Sequence, residues 1–196
     1  MATAGYLFNE RPGAGFLIAQ AVGITASTYL LGGNATIAFV AIPPIMDAPA
    51  PLAARQWAKV YNLGKPFGIG CSLVATLATA YVAYNQDPAS LPFKLNAAAT
   101  LIFPSIIPFT ILAIKPINDK LFGKADSLAL EDKAAEVGVA QNETTKALID
   151  KWAKVHLVRT AITGVGVVLA VWAALDKREA AGANSFSLGT GANRLG

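Results

Sequence analysis

Trp152, His156 and Arg159 are separated by four and then three residues, a spacing that gathers all three side chains into a narrow arc of one helix face. His156 is the only histidine of the chain. Its imidazole titrates near neutrality and can take or give a proton. Arg159, one turn further along, adds a permanent cation, and Trp152 adds a flat apolar ring with one N–H donor. The face lies where a charged segment gives way to the last long apolar run, so it places a titratable ring and a fixed charge at the edge of that run.

The remaining elements must explain what that edge is. Charged residues make up 14% of the 196, apolar residues 54%, and the mean hydropathy is +0.47. Soluble domains carry about 25% charged residues, so this is not a soluble composition. The charges are also gathered. No Asp, Glu, Lys or Arg occurs between Arg11 and Asp47, Lys65 and Asp87, Lys94 and Lys115, or Arg159 and Asp176. A bilayer core about 30 Å thick needs about 20 apolar helical residues, which each window supplies. Four spans are therefore expected, near residues 14–42, 66–84, 95–114 and 157–175. A charged loop is expected over 115–156, with tails at 1–13 and 177–196, the latter disordered. Residues 127–141 mix Leu, Ala and Val with Glu and Lys and read as a partly ordered surface helix.

The windows are continuous and rich in Ala, Leu and Ile, whereas a transmembrane β-barrel alternates over segments of about 10 residues. The fold class is all-α, an integral membrane four-helix bundle. Small residues, among them Gly68, Gly70, Ala75, Ala78, Gly164 and Gly166, permit the close helix approach that membrane packing favours. Gln20, Thr25, Ser27, Thr28, Asn34 and Thr36 give the first span a polar stripe, expected to face inward. That span is read as retained rather than cleaved, because it is too long for a signal peptide.

Eleven of the sixteen Lys and Arg residues fall on the side of the Arg55 segment and the 115–154 segment. By the positive-inside rule those segments face the cytosol and both termini do not, in a membrane expected to be an endomembrane. The net charge of +4 is then a topology signal, not evidence of nucleic-acid binding. The sequon Asn142-Glu143-Thr144 lies on the cytosolic side in this orientation and is expected to be unmodified.

Aromatic and polar residues from four elements punctuate the same edge. Pro43-Pro44 closes the first span, and Trp57, Tyr61 and Lys65 lead into the second at steps of four. The third ends in Pro108-Phe109-Thr110 and then Pro116-Ile117-Asn118-Asp119-Lys120-Leu121. Pro104 and Pro108 remove donors and free the carbonyls of Thr100 and Pro104, for which Ser105 and Thr110 are local candidate partners. Trp57, Tyr61 and Trp152 also sit where interfacial aromatics anchor helices, and Arg159 where it can snorkel.

Cofactor signatures are sparse. A catalytic zinc generally takes three protein ligands, and the lone His156 with the lone Cys71 leaves little room for a metal. Bis-histidine haem is excluded, whereas a single axial His156 stays open. No phosphate loop, dinucleotide fingerprint or nucleophile elbow is present. The simpler expectation is chemistry with no cofactor and no metal.

The four-span plan, Pro108-Phe109-Thr110, the segment from Pro116 to Leu121, and Trp152 with His156 and Arg159 resemble the anthrone oxygenase-like family, also called the DUF1772 family. The resemblance extends from the first span to Leu175. It implies a monooxygenase of polyketide secondary metabolism that oxidises an anthrone to an anthraquinone, with O2 as co-substrate. Such chemistry needs a base, an oxyanion-stabilising group and an apolar pocket. His156 is the base in this reading, and Arg159 with Asn118 stabilises the anion and the developing peroxide. Trp152, Trp57, Tyr61, Phe109 and Thr110 contact a small, flat aromatic substrate, which the bilayer concentrates along with O2. A non-catalytic membrane scaffold, whose motif only fixes helix ends, is the competing class. A transporter fits less well, for no span carries an acidic residue and no inverted repeat is visible.

Overall fold

The computed structural model describes residues 13–127 and 140–176. The expectations for the two tails and for most of the 127–141 segment lie outside the described residues. Helix α1 (Ala14–Thr36) passes through a π-helical turn, Ile37–Ala41, into α2 (Ile42–Asp47). Helix α3 (Ala50–Tyr84) follows. Helix α4 (Leu91–Phe109) passes through a second π-helical turn, Thr110–Ile114, into α5 (Lys115–Ser127). A 3-10 turn, Gln141–Glu143, then leads into α6 (Thr145–Leu175). No strand occurs among the described residues. The chain is all-α.

Four continuous helical rods result, of 34, 35, 37 and 31 residues, each long and apolar enough to cross a membrane. At 1.5 Å per residue they measure about 45–55 Å, well beyond a hydrocarbon core of about 30 Å. The charged segment 115–156, expected as a loop, is accordingly helical over Lys115–Ser127 and again from Thr145. The reason is physical: hydropathy marks where a helix is apolar, whereas a helix ends where its backbone groups are capped. Ser90 caps α4 by accepting from the Phe93 N–H at 3.1 Å, and Thr144 caps α6 by accepting from the Ala147 N–H at 3.3 Å. Charges beyond the apolar section pair along the helix, as Lys154 does with Asp150 at 2.7 Å.

The rods pack in a ring: α1 on α3, α3 on α4, α4 on α6, and α6 back on α1. Small residues set the closest approaches. A Cβ on Gly166 would stand 2.7 Å from a Phe103 ring carbon, and one on Gly23 would stand 3.1 Å from Ala78 Cβ. Gly70, in contrast, faces open space. The inward face of α1 is Gly23, Ser27, Leu30 and Asn34, at steps of four, three and four. Of the expected polar stripe, Ser27 and Asn34 are buried, while Thr25 and Thr28 face outward. The exterior is apolar, with Leu77, Leu101 and Val168 exposed by 61%, 74% and 60%.

Each π-helical turn ends two residues before a proline. Pro43 and Pro44 lie four residues after Phe39 and Val40, and Pro116 lies four after Leu112. A proline ring crowds the carbonyl four residues back and cannot donate to it. Widening that turn relieves the crowding without ending the helix. Pro104 and Pro108 are accommodated inside α4. The nearby hydroxyls serve other carbonyls than those expected: Ser105 donates to Ile102 O, Thr110 to Ile106 O, and Ser72 of α3 to Phe103 O.

Candidate active site

The two π-helical turns border one end of the bundle, where α2, α5 and the first turns of α3 and α6 meet. Ile42, Ile45, Ala53, Ile114, Ile117, Leu121, Leu148 and Ile149 form an apolar shell there around Trp57 and Trp152. The aromatic rings stack in sequence. Trp57 lies 5.5 Å from Tyr61, edge-on to Phe122 at 5.2 Å, and edge-on to Trp152 at 5.8 Å. Trp152 in turn lies parallel to His156, centroids 4.7 Å apart and planes 12° from parallel. Such pairs add to the burial of their apolar area.

His156 is fully buried, with 0% exposure. Its Nε2 lies 3.0 Å from the backbone carbonyl of Asn34, and its Nδ1 lies 2.8 Å from Arg159 Nη2. A carbonyl can only accept and a guanidinium can only donate, so the tautomer follows from the partners. The imidazole is neutral, Nε2–H donates to Asn34, and the Nδ1 lone pair accepts from Arg159. Local helix bonds hold both residues, for Thr160 donates to His156 O and Thr163 to Arg159 O. Asn118, on α5, accepts from Trp152 Nε1 at 2.8 Å. The ring against His156 is thereby fixed from a second helix.

Six of the eight residues singled out from sequence thus join in contacts around one point: His156, Arg159, Trp152, Asn118, Trp57 and Tyr61. Phe109 packs at the margin of the same apolar shell. Thr110 is turned to its own helix, its hydroxyl 2.6 Å from Ile106 O. The Asn118 oxygen accepts from an indole, so the side chain acts first as the holder of Trp152. Two participants were not singled out. Phe122 completes the aromatic group, and Asn34 supplies the carbonyl that fixes His156. For Asn34 the available signal was an amide in an apolar span; for Phe122 it was the helical continuation of the Asn118 segment.

Three buried polar atoms among the described residues have no hydrogen-bond partner: Asn34 Nδ2, Trp57 Nε1 and Arg159 Nε. All three are N–H donors, and all three belong to this end of the bundle. Buried polar groups are normally satisfied by protein, by water or by a ligand. No three His, Cys, Asp or Glu side chains come together to hold a metal among the described residues.

The sequence profile described as Anthrone oxygenase matches residues 57–169, which contain Trp57, Tyr61, Asn118, Phe122, Trp152, His156 and Arg159 but not Asn34. The chain belongs to the anthrone oxygenase family. An anthrone oxygenase of Paecilomyces divaricatus is 30% identical over 155 residues, covering 77% of this chain and 92% of that protein. An anthrone oxygenase of Aspergillus novofumigatus is 28% identical over 156 residues, covering 76% of this chain and 89% of its own. A monooxygenase of Dothistroma septosporum is 25% identical over 153 residues, covering 76% and 79%. No solved structure matches. This anthrone oxygenase family member is an oxygenase-type enzyme.

Proposed function

We propose that the chain is a membrane-embedded, cofactor-independent oxygenase that converts an anthrone-type polyketide to an anthraquinone with O2. The observation that carries this reading is the clamped imidazole: a buried neutral His156 whose lone pair is covered by Arg159 and by nothing else. As it stands the lone pair is occupied, so the base must be uncovered by substrate. An anthrone offers a carbonyl oxygen that becomes an oxyanion on deprotonation. When that oxygen draws the Arg159 guanidinium to itself, Nδ1 is released and the cation moves to where negative charge develops.

The steps balance. Nδ1 takes one proton from the methylene, leaving an electron-rich anthrolate held by Arg159. The anthrolate passes electrons to O2 and forms a C–O bond at the same carbon, and protonation gives a hydroperoxide. Loss of the second C–H proton and cleavage of O–O then give the new carbonyl and water. One O2 is consumed, one oxygen atom enters the product, and the other leaves as water. Trp57, Trp152 and Tyr61 provide an apolar aromatic wall, and lipid supplies substrate and O2. The same reading keeps the charged helix ends and the unmodified Asn142 at the cytosolic face of an endomembrane.

Purified protein supplied with an anthrone under air is expected to take up O2 and release the quinone. His156→Ala is expected to lower kcat by about 10²-fold or more. Arg159→Lys keeps the charge but not the planar fork and is expected to lose about 10-fold. Full oxidation by the His156→Ala protein removes the base assignment.

A further inference from the structure

We propose that Asn34 contacts the substrate, its side-chain amide donating, together with Arg159 Nε, to the oxygen on which negative charge accumulates. The inference rests on the oxidation reading above and extends it to a residue outside the matched part of the family, on a different helix. Three observations carry it. Asn34 is 6% exposed and its Nδ2 has no partner, although its own backbone carbonyl is the acceptor for His156 Nε2. Arg159, on the other side of the same ring, spends Nη2 on His156 Nδ1 and leaves Nε buried and unpaired. Among the described residues, the buried side-chain atoms without partners are N–H donors alone, with no acceptor among them.

An isolated buried amide N–H costs about 1–3 kcal/mol of desolvation when unmade, so a fold has no reason to keep it for stability. Leucine has nearly the shape of asparagine and would remove that cost. Retaining the amide next to the imidazole makes sense if a ligand satisfies it. The donors-only pattern also specifies the ligand. It is an oxygen acceptor, neutral in the ground state and anionic later, as the carbonyl of a ketone with an acidic C–H becomes on deprotonation. A substrate presenting N–H or N–H+ at that position would meet donors with donors.

One residue then serves the site twice. The carbonyl of residue 34 sets the histidine tautomer, which no substitution of the side chain removes. The amide is separable from it. Asn34→Leu and the smaller Asn34→Ala therefore test the donor while leaving the base fixed.

Three quantities are measured on the purified protein in lipid nanodiscs: kcat for anthrone oxidation, thermal midpoint, and the visible spectrum of a bound hydroxyanthraquinone, whose phenolate absorbs to the red of its phenol. The wild type is expected to shift the probe toward phenolate at a pH where free probe is mostly phenol. Both variants are expected to abolish that shift and to lower kcat about 10²-fold, as loss of one oxyanion donor does elsewhere. Asn34→Leu is expected to keep or raise the thermal midpoint, a response that a structural role would reverse. The proposal is overturned if both variants retain the shift and kcat, or if Asn34→Leu loses stability in step with activity. A wild type that ionises the probe, with the shift lost in both variants, yet consumes no O2 leaves Asn34 as an oxyanion donor and refutes the oxidation. A wild type that oxidises anthrone without ionising the probe refutes Asn34 alone.

Discussion

The two ends of the bundle are built from different materials. Around Phe103 the packing is done by small residues, Ala75, Ala99, Val167 and Ala170, and the hydroxyls are spent. Ser72 donates to Phe103 O, Thr79 to Ala75 O, and Thr100 to Asn96 O. Around Trp57 and Trp152 the packing is done by large rings, the helices are widened ahead of prolines, and three buried donors stay unspent. Among the described residues, one end leaves no buried side-chain donor or acceptor unpaired, and the other holds three donors in reserve. A binding site has to be the second kind, because pairing its donors internally would leave nothing for the ligand.

The tightly packed end is most easily disrupted at Gly166. A Cβ there would meet Phe103 at 2.7 Å and Ile102 at 3.1 Å, and Phe103 is itself fully buried. Gly166→Val is expected to cost about 3 kcal/mol, at the upper end of overpacking penalties, with kcat per folded molecule unchanged. Thermal unfolding in detergent alongside O2 uptake checks both. A Gly166→Val protein that stays stable but turns over poorly would show that the two ends are not separate.

The next largest effect is expected at the link that orders the aromatic end. Trp152→Phe leaves Asn118 Oδ1 without its donor, and Asn118→Leu leaves the Trp152 N–H without its acceptor. Each is expected to cost about 2 kcal/mol, the penalty of a buried unpaired group. The double substitution removes both partners and is expected to cost less than the sum, with a coupling of about 1 kcal/mol. Strict additivity would mean that the bond does not position Trp152, and with it the ring stacked on His156.

What could be read ahead of the fold follows from which contacts are local. His156 and Arg159 are three residues apart in one helix, so helical geometry alone predicted their meeting, and their hydrogen bond is that meeting realised. Charge-free windows foretold four apolar helices for the same reason. Trp152 and Asn118 are 34 residues apart, and only their shared end of the bundle was legible, not the bond. Asn34 was least legible of all. Its contribution to His156 comes through a backbone carbonyl 122 residues away, and a carbonyl carries no side-chain signature. The prolines were plain in the sequence, but whether a helix answers a proline by ending, bending or widening depends on what its neighbours can accommodate. Here two prolines sit inside α4, and the turns ahead of Pro43 and Pro116 widen.

The smallest expected effect lies just outside the aromatic end, where Lys120 of α5 meets Glu143 of the 3-10 turn at 2.8 Å. The Lys120 ammonium, by its hydrogen bond first and its charge second, lowers the Glu143 pKa from the ordinary glutamate value. A carboxylate lowered in the folded state adds stability above its unfolded pKa and loses it as pH falls through the folded one. The tie between α5 and the entry to α6 should therefore weaken only in acid. Both side chains are more than half exposed, so water and salt screen most of the attraction. Glu143→Gln is expected to lower the thermal midpoint slightly at neutral pH, by an amount that shrinks on acidification and in high salt. If kcat moves with it, the charged turn helps to place α6, and the reserve of donors around His156 depends on more than its own apolar shell.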